Sequence, residues 1–380
     1  MPQIVFIANW DWVLFNFRLP LVRALQSAGT EVFLVCPRGQ YFSKMEELGF
    51  HMIEWKMSRR SLLPFKELKS VLGLRKILVK LNPDVVHNFT IKPILYGTIT
   101  ARSLRIRLVI NNFTGLGYLF SDGAKPFLLR LLVLPIMRRL LKSPTVNALF
   151  QNNSDRNNII ERGIAVEERA AIIPGTGVDL SRFPGKANQK TGRSLKVMMA
   201  SRLLTDKGVV EYFEAAQLIR ESHPEIKFLL AGAPDPGNPA SINPKLIEDW
   251  KTLEVLEFLG HRSDMDQLLA EVDIAVLPSY HEGVPLFLIE AAAAGLPIVA
   301  SDIPGCRMVV SQNNNGLLVP IRDSKELAKA IETLLLNRSL RIQMGKKSRE
   351  IALDRFSIER INQRYISYYK ELGIDLILNS

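Results

Sequence analysis

A chain of 380 residues exceeds one ordinary core of roughly 100 to 200 residues, so two domains are expected, and 47% hydrophobic against 23% charged residues excludes a disordered polymer. Two cysteines, Cys36 and Cys306, far apart and without paired spacing, support neither a disulfide framework nor a cysteine metal site and suit a reducing compartment. The net charge of +11 is uneven: residues 1–190 hold 27 Lys and Arg against 13 Asp and Glu, and residues 191–380 hold 22 against 25, which points the first half toward an anionic partner.

Met1-Pro2-Gln3 leads straight into a strand pattern at residues 4–8, with neither a basic leader nor a small-residue cleavage site, so no signal peptide is expected. Further strands read at 31–35, 84–87, 108–113 and 146–151, with helical patterns at 19–28, 64–81 and 127–141. The pattern at 127–141 is too short to span a bilayer and contains Arg130, Pro135, Arg138 and Arg139. A stretch dense in Gly, Pro and polar residues follows at 174–177 and 183–192 and reads as a linker. The plan then repeats, with strands at 195–200, 226–231, 255–259, 273–278 and 297–301 and a helix at 209–220. Such alternation is the signature of parallel sheets covered by helices. The expected architecture is α/β, with two Rossmann-like domains, 1–185 and 193–357, facing across a cleft at the carboxyl ends of their strands. A last helical pattern, about 358–375, is placed to pack back on the first domain.

The richest segment is residues 277–297. A polar turn follows a strand, and Pro285 suits the first helical position because it lacks an N–H. Gly295 and Pro297 end the helix. Backbone N–H groups around 284–288 and the helix dipole form an anion site. Glu282 lies just before the helix and Glu290 about 7.5 Å along its axis from Pro285. Carboxylates on both sides of a bound diphosphate suit a nucleotide sugar, which has hydroxyls at each end. Capping by Glu282 and solvation of Glu290 is the plainer reading, but Glu290 is the only charge in 284–298, where an unpaired carboxylate is costly. Arg202 and Lys207 fall in a strand-to-helix loop, where two fixed cations could neutralise a diphosphate leaving group without a metal or could simply be solvated.

Ser201-Arg202 through Lys207-Gly208, Glu282-Gly283 with Glu290, Pro174-Gly-Thr-Gly-Val-Asp179 with Phe183, and Gly260-His-Arg262 together resemble a family 4 retaining glycosyltransferase of GT-B architecture. Asn16-Phe-Arg18-Leu-Pro20, residues 58–65, Thr114-Gly-Leu-Gly117 and Asn238-Pro239 narrow the likeness to bacterial enzymes that add a sugar, often an N-acetylhexosamine, to an undecaprenyl-diphosphate-linked acceptor. The resemblance implies that Arg202 and Lys207 bind the donor diphosphate and that Glu282, grouped with them as catalytic, contacts the transferred sugar. It further implies that Glu290 holds the ribose, that Gly283, Val284, Pro285, Leu286 and Phe287 meet the phosphates, and that Arg262 lies near the base. The departing phosphate would guide the acceptor hydroxyl, with no protein nucleophile, no cofactor and no metal.

The first half departs from the family pattern. His87-Asn88-Phe89 replaces a His-x-His, Thr114 stands where a His usually precedes Gly-Leu-Gly, and Asn9-Trp10-Asp11-Trp12 replaces a Gly-Gly turn. Arg18 and Lys92 are candidates for an acceptor phosphate, with His87 and Thr114 on the acceptor side. His87 alone also reads as a structural residue at a strand end.

Cations between Leu, Val and Ile at 58–81, and again at 127–142, suit peripheral attachment to an anionic membrane surface, the inner face of the cell membrane, rather than merely basic outer faces of core helices. Nucleic-acid binding lacks any accompanying motif. The expected reaction is sugar transfer from a UDP-sugar to a lipid-diphosphate-linked glycan. The rivals are a UDP-sugar epimerase of the same fold and a non-catalytic membrane-associated protein.

Overall fold

The computed structural model describes residues 1–59, 61, 63–116, 118–120, 124–185 and 193–376. Arg60, Leu62, Gly117 and residues 186–192 of the expected linker lie outside the described residues. The chain forms two compact units, Met1–Thr176 with Glu359–Ser380, and Gly177–Ile358. The division falls inside the Pro174–Gly177 stretch, so residues 177–185 belong with the second unit rather than the first.

The first unit is built on strands β1 (Gln3–Ala8), β2 (Glu31–Cys36), β3 (His51–Glu54), β4 (Val85–Phe89), β5 (Leu108–Phe113), β6 (Val146–Phe150) and β7 (Ala170–Ile172). They pair in parallel in the order β3-β2-β1-β4-β5-β6-β7. Strand β1 is a continuous apolar run after Gln3 because helices cover both faces, whereas β4, equally buried, carries His87 and Asn88 between Val86 and Phe89. Successive side chains alternate between those faces. Ile4, Phe6 and Ala8 pack with the helix Leu19–Ser27 and the C-terminal helix Ile358–Glu371, whereas Val5 and Ile7 enter a cluster shared with Pro64–Leu81 and Ala124–Leu141.

The second unit holds β8 (Lys196–Ala200), β9 (Lys227–Ala231), β10 (Glu257–Gly260), β11 (Ile274–Leu277), β12 (Ile298–Ser301) and β13 (Gly316–Val319), all parallel in the order β10-β9-β8-β11-β12-β13. In both sheets the strand order reverses at one point, between β1 and β4 and between β8 and β11. Chains leaving such a pair of strands diverge to opposite faces, opening a crevice at their carboxyl ends where ligands of this architecture bind.

Three strands escape the sequence pattern: β3, β7 and β13. All lie at sheet edges, and β7 is only three residues long, so none needs a long apolar run.

Gly208 ends the turn after β8 with φ +72°, and a Cβ there would stand 2.1 Å from the carbonyl oxygen of Pro278. Backbone strain and a backbone collision coincide, so Gly208→Ala should destabilise the protein by at least about 2 kcal/mol. Chemical denaturation checks this, and an unchanged midpoint would refute the close packing of the two loops.

Candidate active site

The second unit's crevice is formed by the loops after β8 and β11, which are drawn together by backbone contacts before any charge is considered. The N–H of Tyr280 donates to the carbonyl of Asp206 at 2.9 Å, and Gly208 lets the first loop rest on Pro278. On that frame the Lys207 ammonium donates to Glu282 Oε1 at 2.7 Å, and the Ser279 hydroxyl donates to the same oxygen at 2.8 Å. Both charged side chains are 15% exposed, so the pair is poorly hydrated yet reachable from solvent. Gly305 holds the Glu282 loop from behind, because a Cβ there would meet the carbonyls of Glu282 and Gly283 at 2.4 and 2.6 Å.

The helix after this loop is Leu286–Ala293, with Pro285 as its N-cap. Gly283, Val284, Pro285 and Phe287 are buried and Leu286 is half-buried. The N–H groups of Leu286 and Phe287 lie in the first turn, where helix geometry provides no intrahelical carbonyl for them. Glu290 lies further along the same short helix. Its carboxyl is pushed up to about 7 by burial, against a downward pull from Arg182 and with a smaller upward push from Asp266. Arg182 and Asp266 are themselves paired at 3.0 Å. The lone carboxylate noticed in an apolar stretch is therefore largely desolvated, although its residue keeps a partial exposure.

The remaining predicted cations are paired locally. Arg202 donates to the buried Asp235 at 2.9 Å, and its own side chain is 43% exposed. Arg262 forms a fork with Asp264 at the exposed end of β10. The structure thus joins Lys207 directly to Glu282, while Arg202 and Arg262 sit in separate ion pairs and Glu290 lies apart on the following helix, all in the same unit. Among the described residues no group of three His, Cys, Asp or Glu side chains could hold a metal ion.

In the first unit the structure corrects two expectations. Arg18 and His87, read as acceptor-side groups, are enclosed at 1% and 0% exposure. The Arg18 guanidinium lies over the Phe89 ring and donates to the Tyr365 hydroxyl at 3.2 Å, which also accepts from the Asn112 amide at 2.7 Å. His87 Nδ1 is 2.7 Å from the Tyr369 hydroxyl. Burial, with the nearby Arg18 charge, holds the imidazole well below its ordinary pKa, hence neutral. These residues anchor the C-terminal helix because their partners, Tyr365 and Tyr369, arrive from it. Lys92 is also engaged: its ammonium donates to the carbonyls of Ser58 and Ser61 and to Glu67 at 2.9 Å, so it fastens the segment ahead of the Pro64–Leu81 helix. Thr114 stays partly exposed just beyond β5.

Sequence reasoning noted the Asn9–Trp12 turn only as a departure from pattern. Trp10 and Trp12 stack at 5.0 Å just beyond β1, and the Arg59 guanidinium lies 4.1 Å above the Trp10 ring. Thr90, just beyond β4, adopts φ +73°, a strained backbone for a β-branched residue. The signal in the sequence was the pair of tryptophans directly after the central strand.

The family model described as glycosyl transferases group 1 matches residues 185–351, and that described as glycosyl transferase 4-like matches residues 3–153. The chain is 30% identical over 379 residues to the N,N'-diacetylbacillosaminyl-diphospho-undecaprenol alpha-1,3-N-acetylgalactosaminyltransferase of Campylobacter jejuni, covering 97% of this chain and 98% of the relative. It is 27% identical over 331 residues to the UDP-Gal:alpha-D-GlcNAc-diphosphoundecaprenol alpha-1,3-galactosyltransferase of Escherichia coli, covering 84% and 82%. Among solved structures, Anabaena HepE in complex with UDP and glucose matches in fold at a TM-score of 0.78 and 18% identity, covering 97% of this chain and 100% of that one.

The raised Glu290 carboxyl makes stability depend on pH. Folded, it keeps its proton up to about pH 7, whereas unfolded it releases it near 4.5, so the wild-type protein loses stability as pH rises through that window. Glu290→Gln escapes this loss. Its stability relative to wild type should rise between about pH 5 and pH 8 by on the order of 3 kcal/mol. Urea unfolding at the two pH values measures it, and a difference that stays flat would refute the raised carboxyl.

Proposed function

This chain belongs to the family 4 glycosyltransferases, and from that premise we propose that it moves a sugar, an N-acetylhexosamine, from a UDP-sugar to a polyprenyl-diphosphate-linked glycan with retention of configuration. The observation that carries this reading is the Lys207–Glu282 pair at the point where the strand order of the second sheet reverses. The relatives' names support the chemistry at both ends of the reaction. One is a UDP-Gal-dependent enzyme, and both act on diphospho-undecaprenol substrates.

In the proposed reaction the donor diphosphate docks on the first turn of the Leu286–Ala293 helix, where backbone N–H groups and the helix dipole favour an anion. Lys207 and Arg202 stabilise the charge that develops on the phosphate oxygen as the bond to the anomeric carbon breaks. That task is one a divalent metal could otherwise perform, so the enzyme needs none. Glu282, held by Lys207 and Ser279, accepts a hydroxyl of the transferred sugar and fixes its orientation. Glu290 meets the ribose, and Arg262 lies near the base. The leaving phosphate takes the proton of the acceptor hydroxyl on the face it vacates, which preserves configuration and requires no protein nucleophile.

The acceptor side is assigned to groups that remain reachable beyond β1 and β5, together with Arg59: the Trp10 and Trp12 stack and Thr114. Aromatic faces suit the apolar faces of a sugar ring, and a guanidinium suits its diphosphate. A lipid-linked acceptor together with a UDP-sugar donor suits a reaction at the inner face of the cell membrane, with the enzyme attached peripherally.

Glu282→Gln and Lys207→Ala should each lower acceptor-dependent UDP release by at least about a hundredfold. Near wild-type rates in both would remove the site assignment, and UDP-sugar conversion without any acceptor would favour epimerisation. Trp10→Ala should raise the KM for a lipid-diphosphate acceptor about tenfold while leaving that for the donor unchanged. An equal rise in both would refute an acceptor platform after β1.

A further inference from the structure

Two helices of the first unit carry leucine-rich stripes on the side facing away from the sheet. Pro64–Leu81 buries Ser70, Leu74 and Leu78, and its exposed apolar residues are Phe65, Leu68, Leu72 and Val79. At 100° per residue these four fall within an arc of about 60°, centred about 150° from the buried set. Phe65 is 88% exposed and the other three are more than half exposed, so among the described residues nothing covers the stripe. Ala124–Leu141 repeats the arrangement: Met137 and Leu141 are buried, and Leu128, Leu131, Leu132 and Ile136 are exposed on the opposite side. The two helices flank Ile91–Ser103, pack against both its sides and feed one apolar cluster. Their outward stripes therefore belong to one surface of the first unit.

The exposed charge carried by the described residues of these two helices has one sign. Exposed Lys69, Lys76 and Lys80 lie along one edge of the first stripe and Arg75 along the other, while exposed Arg139 and Lys142 follow the second. The helix Ala124–Leu141 contains no acidic residue, and Glu67, the one acid of Pro64–Leu81, turns inward to Lys92 and Tyr96. Among the described residues no helix is long and apolar enough to cross a membrane. Apolar side chains projecting beyond a cationic fringe match the boundary between acyl chains and anionic headgroups, where a helix lies in the plane of the leaflet.

We propose that the outer faces of Pro64–Leu81 and Ala124–Leu141 form a two-helix docking surface for an anionic lipid bilayer. The proposal rests on the lipid-linked acceptor only for its purpose, since the surface itself follows from exposure and charge. With both stripes in the headgroup boundary, the first unit would receive a lipid-borne acceptor without extracting it from the leaflet.

Flotation of the full-length protein with phosphatidylcholine vesicles, with and without phosphatidylglycerol, tests the surface. Wild type should float with the anionic vesicles and not with the neutral ones. The double variants Leu68→Ser with Leu72→Ser, and Leu131→Ser with Leu132→Ser, should each weaken this association at least about tenfold without changing thermal unfolding. Lys69→Glu with Lys76→Glu should weaken it similarly and reduce its salt dependence. UDP release with a water-soluble short-prenyl acceptor should remain at the wild-type rate in all three. Variants that float like wild type would overturn the proposal, as would equal wild-type binding to neutral vesicles. A concentration-dependent dimer dissolved by the serine variants with vesicle binding intact would instead assign the surface to a second copy of the chain. Intact vesicle binding without UDP release from any lipid acceptor would sink the proposed reaction and leave the surface standing.

Discussion

The candidate active site depends on bringing the ends of two non-consecutive strands within the reach of one ion pair. β8 and β11 are neighbours in the sheet but distant in the chain, and the loops that leave them turn toward opposite faces. Left to themselves, two polar loops would splay into water. Here a backbone hydrogen bond from Tyr280 to Asp206 and the bare Cα of Gly208 against Pro278 hold them together. The Lys207–Glu282 contact is thus placed by the backbone, with side chains adding the chemistry. A charged pair so placed needs little reorganisation when an anion arrives, which is the condition under which electrostatic stabilisation is strongest.

The first unit spends its polar groups differently. Its buried arginine and imidazole serve the attachment of the last helix, through Tyr365 and Tyr369. Buried polar groups of this kind are demanding, because each must find a partner away from water. They fix the register of that helix more narrowly than apolar packing alone, since a rotation of one residue would separate Tyr369 from His87. The reactive potential suggested by a histidine at a strand end is absorbed by this architectural task.

Much of the fold was legible because it is written in local patterns. Central strands such as Ile4-Val-Phe-Ile-Ala8 are buried on both faces and must be apolar throughout, whereas the edge strands β3, β7 and β13 face weaker demands and leave weaker marks. The helix of the second unit's candidate site was legible for a related reason: Glu282, Pro285 and Glu290 lie on one short stretch, so their spacing translates directly into helix geometry. Arg18 and His87 were misread because their partners on the C-terminal helix are remote in the chain, and such a contact has no periodic signature. The tryptophans after β1 were visible as residues, but their stacking under Arg59 depends on a loop whose path no pattern encodes.

The return of the chain to its first unit sets an order of events during synthesis. The segment Gly177–Ile358 is contiguous and holds its own apolar core, so it can fold as soon as it leaves the ribosome. The N-terminal sheet emerges earlier but keeps one face unfinished until Tyr365 and Tyr369 are made. The half born first is therefore the half completed last, and during that interval its uncovered leucines and valines are the part of the nascent protein most in need of a chaperone.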